Sequence, residues 1–424
     1  MTMRCRTELN GGNTGARRSD RSCGRRRRFE RGPALVAALL LTVSAQAVPA
    51  LAEPHVPTDD SQVIERLPTA GNKTARELRQ LQADLKQSPQ NLALALRVAA
   101  RDIELARAES DPRYNGYAEA ALAHWIDLPE PPKDVLVMRA TLRQSRHDFV
   151  PALGDLDRVI ALDPDDAQAW LTRAVILQVQ GDYAQALDNC RAVRRLTEPL
   201  GAEICSDGVE ALNGHAREGY RALQVALDGA RPGESGQLRL WALTVLAETA
   251  ARLGDSAAAQ RYFDQAMSLG IGDGYLLGAY ADFLLDEQRP NDVRPLLGDK
   301  TRIDPLLLRL ALAESDLDEP TVAQHRTDLA ERFAAARQRG DAVHLREEAR
   351  FALHLLHQPR AALEIAKANW AVQREPWDAR LVLEAALAAG EPDAARPVLD
   401  WLATTRMEDV HLSRLVEQLK SEVR

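Results

Sequence analysis

The residue types able to do chemistry are few and scattered. His354 and His357 stand i,i+3, with His344 upstream. On one helix such a pair faces one way, and with a third ligand it would hold a transition metal. Leu355 and Leu356 lie between them, so the plainer reading is two packed or solvated imidazoles. Arg97 and Arg101 are four apart, and on a helix both guanidiniums point from one face. The planar fork of Arg can take a carboxylate bidentately. Between Asp111 and Tyr117, the residues Arg113, Tyr114 and Tyr117 offer the side chains favoured in interface hot spots. The alternative is structural: Asp111-Pro112 opens a helix and the tyrosines pack inward. The chain has no G-x-S-x-G, no phosphate-cradling G-x-x-x-x-G-K, no H-E-x-x-H and no C-x-x-C. No catalytic set, metal site or cofactor is expected from these residues.

The elements that would position such side chains are helices. Of 424 residues, 45% are hydrophobic, 27% charged and only 4% aromatic. The abundance of Ala, Leu, Arg and Glu favours helix, and long β-branched runs are missing. A chain of this length and composition buries a large core.

The first 52 residues differ from the rest. Arg25-Arg26-Arg27-Arg28 is followed by an apolar run, Ala34–Val43, and then by Ala45-Gln46-Ala47 and Ala50-Leu51-Ala52. A basic stretch, a short apolar stretch and A-x-A together read as a secretory signal peptide, cleaved after Ala47 or Ala52. The run is short for a bilayer span, so a retained anchor is the lesser alternative. Arg26-Arg27-Arg28-Phe29 loosely fits a twin-arginine signal, but Glu30 stands where an apolar residue is usual. The basic leader is long, and a later start codon inside it is an open alternative. The expected location is periplasmic or secreted, in a bacterium. Residues 1–52 carry ten Arg and three acidic residues, so the chain's net −8 becomes −15 without them. Such a charge repels nucleic-acid phosphates and anionic lipid headgroups, and no later stretch is apolar enough to insert in a membrane. Cys5 and Cys23 leave with the leader; Cys190 and Cys205 remain as two thiols in an oxidising compartment.

An internal repeat organises the remainder. Residues 133–166 and 167–199 align at a 34-residue offset, the length of the first window. Leu136 meets Trp170, Arg139-Ala140 meets Arg173-Ala174, Phe149 meets Tyr183, and Ala152-Leu153 meets Ala186-Leu187. Pro164 and Pro199 close the two units. The small residues let two helices approach, larger apolar residues fill the gaps at helical spacing, and Gly181-Asp182 turns the chain. These residues resemble the tetratricopeptide repeat, clearly over 133–199 and loosely over about 91–404.

The resemblance implies an all-α fold, a right-handed solenoid of stacked antiparallel helix pairs. Weaker units are placed on helix 91–108 with Ala120 on its partner, at Gly214 and Gly219, at Ala247 to Ala266, and over 274–298, 305–340, 342–374 and 377–404. Residues 408–421 are expected to cap the open end. The divisions are a leader (1–52), a linker (53–74), an N-terminal array (75–228), a break (229–237) and a C-terminal array (238–424). In this fold Cys190 and Cys205 fall on neighbouring packed helices, where a disulfide would close a 15-residue loop worth roughly 3 kcal/mol; two buried thiols are the alternative. The functional surface implied is the concave groove: Arg97, Arg101 and Glu104 in the first unit, Val137, Thr141 and Gln144 in the second, Leu171, Val175 and Gln178 in the third. Some family members grip a peptide's terminal carboxylate with cations there. This chain lacks the Asn residues usual in that clamp, and pairing of the two arginines with Glu104 or Asp102 is the alternative. The expected function is a scaffold that binds a protein or peptide partner. The alternatives are a structural part of an envelope assembly and an enzyme with an unrecognised metal site.

Overall fold

The structure, a computed structural model, describes residue 59 and residues 73–422 apart from 232, 234 and 341–343. The leader and nearly all of the linker lie outside the described residues. Residues 69–424 form one compact unit. The described residues contain twenty α-helices and no strand. A first helix, α1 (Lys73–Gln87), packs on α2 (Leu92–Glu109). Hairpins follow: α2 with α3 (Arg113–Leu122), α4 (Lys133–Ser145) with α5 (Phe149–Leu162), α6 (Ala167–Val179) with α7 (Tyr183–Leu196), and α8 (Pro199–Glu210) with α9 (Ala216–Asp228). Next come α10 (Gly236–Arg252) with α11 (Ser256–Ser268), α12 (Gly274–Asp286) with α13 (Pro290–Leu297), α14 (Asp304–Asp316) with α15 (Val322–Arg339), and α16 (Leu345–His354) with α17 (Pro359–Trp370). The last are α18 (Pro376–Ala389), α19 (Arg396–Thr405) and α20 (Val410–Glu422).

Each turn within a hairpin obeys one local rule. Ser110, His147, Gly181, Gly214, Gly254, Gln288, Asp318, His357 and Gly390 all have positive φ, so each inner helix is followed by a left-handed residue that reverses the chain. Two second helices then start on an Asp cap: the Asp182 carboxylate accepts from Gln185 N–H at 3.2 Å, and Asp255 from Ala258 N–H at 2.9 Å. Within the clearest unit Ala174 and Ala186 are buried, so the two helices touch without intervening bulk. In the first hairpin the buried residues of α3 are Ala118 and Leu122, while Ala120 is exposed. The connection before α3 is only Ser110–Pro112, as short as those before α5 and α7, and Tyr117 lies within the helix, so Ala118 rather than Ala120 takes the crossing.

The even-numbered helices from α2 to α18 also pack on one another in succession, forming an inner layer. Of the expected break 229–237, residues 229–235 connect α9 and α10, and the last two belong to α10. One core cluster runs from Leu200 and Leu227 through Leu240 and Leu284 to Phe351. The stack therefore continues through the expected break, because α8 and α9 both lie against α10.

The stack also meets itself. Helix α12 returns to α2, where Gly274 faces Ser110. A Cβ at Gly274 would lie 2.9 Å from Ser110 Cβ, closer than real carbon atoms come. Gly274→Ala should cost about 1–3 kcal/mol of unfolding free energy by urea titration, and Ser110→Gly should restore most of it. Additive losses would mean that this approach does not hold the stack together.

The C-terminal helices lie along the turn edge of the earlier hairpins. Arg374 N–H donates to Val179 O at 2.7 Å, and Trp401 packs on Tyr183 with ring centroids 6.4 Å apart. Ala216 N–H donates to Glu408 at 2.9 Å, and Val410 rests on Gly254. Helix α20, expected to cap an open end, packs on α18 while its first residue reaches back to the α10–α11 turn. Its buried Leu412 and Leu419 explain the docking: they find a partner surface inside the unit.

Candidate functional site

The inner helices carry the residues that the sequence places in a groove. On α2, Arg97 is exposed. Arg101 is tied to Glu104 at 2.5 Å and to Glu77 of α1 at 3.6 Å. Arg101 is thus engaged by carboxylates, as the pairing alternative expects for Glu104. Asp102 plays no part in that pairing. It is fully buried with neither oxygen partnered, and burial pushes its carboxyl up to about 6. On α4, Val137 is buried and the Thr141 hydroxyl donates to Val137 O at 3.0 Å, leaving Gln144 half-buried. On α6, Leu171, Val175 and Gln178 are all half-buried, and Gln178 lies against Gly208 of α8.

Counted back from the left-handed turn residue, Glu104, Thr141, Val175, Gly208, Glu248 and Asp282 hold equivalent places on successive inner helices. A register anchored on Ala100 puts Arg101 in this row. The turn at Ser110, which no Gly marks, shifts it to Glu104. Glu248 and Asp282 were missed because the repeat is degenerate there; Gly254, at the end of α10, is a signal that could have found Glu248, while the Gln288 turn leaves Asp282 unmarked.

Glu248 and Tyr275 form a pair across α10 and α12, with the phenol donating to Glu248 Oε1 at 2.9 Å. Burial pushes the Glu248 carboxyl up to about 7 against the pull of Arg252 and of the Tyr275 hydrogen bond. Tyr275 is 61% exposed, yet surrounding protein raises its phenol well above the ordinary value. The Tyr275 ring is open to solvent on an inner helix while its hydroxyl is tied to Glu248.

Further along, the inner face is filled by ion pairs. Asp282 accepts from Arg309 Nη2 at 2.6 Å and from Arg350 Nη1 at 2.5 Å, and all three are buried. Burial opposes the Asp282 charge, but the two guanidiniums outweigh it and hold the carboxyl below its usual range. Trp377 lies between Arg350 and Arg380, whose guanidinium carbons sit 4.3 and 4.2 Å from the ring centroid. Arg380 joins Asp286 at 2.8 Å and Glu384 at 2.6 Å. Glu384 also meets His354 at 3.2 Å. Although buried, Glu384 is drawn down to about 2 by the hydrogen bond with His354 and the charge of Arg380.

The histidines do not assemble. Helix α16 ends at His354, and His357 is the left-handed residue of the following turn rather than a second ligand on the same helix. His344 stands at the N-cap of α16. Among the described residues no group of three or more His, Cys, Asp or Glu is arranged to hold a metal.

Cys190 of α7 and Cys205 of α8 are joined by a disulfide, with Cα atoms 5.5 Å apart, inside the cluster of Ala174, Tyr183 and Val209. Two residues on, Asp207 is buried with Oδ2 unpartnered. Burial, with Glu203 and Glu210 nearby, pushes its carboxyl up to about 8. At the outer loop Arg113 is forked onto Asp111 at 2.6–3.0 Å. Tyr114 and Tyr117 meet edge to face with centroids 5.8 Å apart, and Tyr117 stays exposed. Pro112 starts α3, so this loop opens a helix and presents one tyrosine outward.

A tetratricopeptide-repeat family model matches residues 156–188, from mid-α5 into α7. No curated protein matches the sequence. Among solved structures, a tetratricopeptide repeat protein from Parabacteroides merdae is 14% identical, with 57% of this chain and 92% of that one covered and a TM-score of 0.41. Yeast Tom70 is 13% identical, covering 82% and 85%, with a TM-score of 0.40. A Rap protein complexed with competence and sporulation factor is 13% identical, covering 83% and 98%, with a TM-score of 0.42. Superpositions this loose say nothing about function. The repeat register of 133–199, the matched unit within it and the consecutive helix hairpins that continue it support a tetratricopeptide-repeat architecture for the chain.

Proposed function

We propose that this chain is an exported interaction scaffold, periplasmic in a bacterium, which holds a protein segment against the inner faces of its hairpins. The observation that carries the reading is the unbroken inner layer from α2 to α18, which sets side chains from successive helices side by side. Helix pairs stacked in this way suit an extended peptide or a helix as ligand. Export rests on the basic, apolar and A-x-A leader. No described helix is long and apolar enough to cross a membrane. The inner face still open to solvent includes Arg97, Glu104 and Tyr275, and a partner would be read there.

The test is capture in cells. Residues 53–424, exported with a C-terminal tag, are crosslinked and the attached proteins identified, for the wild type and for Arg97→Glu/Arg101→Glu. One dominant partner lost in the double variant assigns the contact to α2. A partner kept in the variant moves it further along the inner layer. Failure to capture any partner in the wild type overturns the scaffold reading.

A further inference from the structure

Tyr275 stands apart among the described residues. The other exposed large apolar side chains sit on outer helices or connections, such as Val150 and Leu162 on α5 and Val225 on α9. Tyr275 alone lies on an inner helix, beside Glu248.

The carboxylates around it are spoken for, with one exception. Asp282 is held by Arg309 and Arg350, and Glu375 by Arg346. Glu248 receives only the Tyr275 hydroxyl, on Oε1. Its nearest cation in sequence, Arg252, turns instead to Thr249 Oγ1 at 3.0 Å. A half-buried carboxylate with a spare oxygen thus sits next to an open aromatic face. Burial raises the Glu248 carboxyl although the charge of Arg252 pulls it down, and no cation is bonded to it.

We propose that Glu248 and Tyr275 form a subsite for a cationic side chain, Arg or Lys, carried by the bound segment. Glu248 Oε2 accepts from the guanidinium or ammonium, and the Tyr275 ring covers its face. The Tyr275–Glu248 hydrogen bond fixes both groups before the ligand arrives, so little ordering remains to oppose binding. The choice of cation follows from charge complementarity: the pair offers a carboxyl oxygen that accepts no hydrogen bond and no donor other than the phenol. The inference rests on the scaffold reading, since it names what one position of the groove selects.

The test uses residues 53–424 with ring-labelled tyrosine, the Tyr275 resonance assigned by its loss in Tyr275→Phe. Acetyl-arginine methylamide is titrated as the probe, with acetyl-citrulline methylamide as its neutral counterpart. The arginine compound is expected to shift the Tyr275 signal saturably, and citrulline is not. Glu248→Gln should weaken the arginine response at least fivefold while leaving the thermal unfolding midpoint no lower. An unmoved Tyr275 signal overturns the subsite, as does an equal response to citrulline or in Glu248→Gln. The two readings fail separately. A captured partner together with a silent Tyr275 removes the subsite and leaves the scaffold, whereas a responsive Tyr275 with no captured partner does the reverse.

Discussion

Replacing Asp282 with Ala is expected to lower the unfolding free energy by about 3–5 kcal/mol. Two buried guanidiniums share this one carboxylate. Removing it leaves Arg309 and Arg350 facing each other without compensation, and the desolvation of both is then unopposed. The residual contacts do not replace it: Arg309 keeps Gly278 O at 3.1 Å and Pro305 O at 2.8 Å, and Arg350 keeps the Trp377 ring. Because Asp282 stands on α12, Arg309 on α14 and Arg350 on α16, the loss should reach three inner helices at once. A combined replacement, Asp282→Leu/Arg309→Met/Arg350→Leu, removes every charge together and should recover most of the loss, since matched apolar groups avoid the desolvation cost. Urea unfolding of both variants decides the matter. A loss below about 1 kcal/mol in Asp282→Ala would show that water reaches the triad and screens it.

Asp207→Asn should stabilise the protein, and by an amount that grows with pH. The folded carboxyl titrates near 8 and its unfolded counterpart near 3.8. Below the unfolded value both states hold the proton, and Asp and Asn variants should unfold alike. As the pH rises, the unfolded chain releases its proton while the folded chain keeps it, so wild-type stability falls until the folded carboxyl has also ionised. The Asn variant has no proton to lose. Its advantage should be near zero below about pH 3 and reach about 3–5 kcal/mol at pH 8, at about 1.4 kcal/mol for each pH unit between the folded and unfolded titrations and with allowance for relaxation. The difference between the two proteins isolates this group from Asp102 and Glu248, which burial also raises. Equal stability at both pH values would mean that Asp207 Oδ2 meets a donor in solution. The site is unforgiving in a second way. Gly219 backs directly onto it, and a Cβ there would lie 3.2 Å from Asp207 O.

The helix pairs were largely legible in the sequence, because apolar residues at helical spacing and small residues at crossings are local signals. Gly181, Gly254 and Gly390 announce their turns, since a left-handed residue is cheap without a Cβ. His147, Gln288, Asp318 and His357 make the same turn silently. Ser110 does so as well, which is why Glu104 rather than Arg101 shares the row with Thr141 and Val175.

What the sequence by itself determined is the repeat: hairpins of alternating inner and outer helices, set by 133–199 and continued by periodicity. Tertiary structure alone decided where that repeat meets itself. The return of α12 to α2, the docking of Trp401 and Glu408 on earlier turns, and the Asp282 triad join residues far apart in the chain. The angle between neighbouring hairpins is small and its effect accumulates along the stack, so no local pattern records which distant residues come together. The Tyr275–Glu248 pair is of that kind: each residue is ordinary on its own helix, and only the packing of α12 beside α10 brings hydroxyl and carboxylate within 2.9 Å.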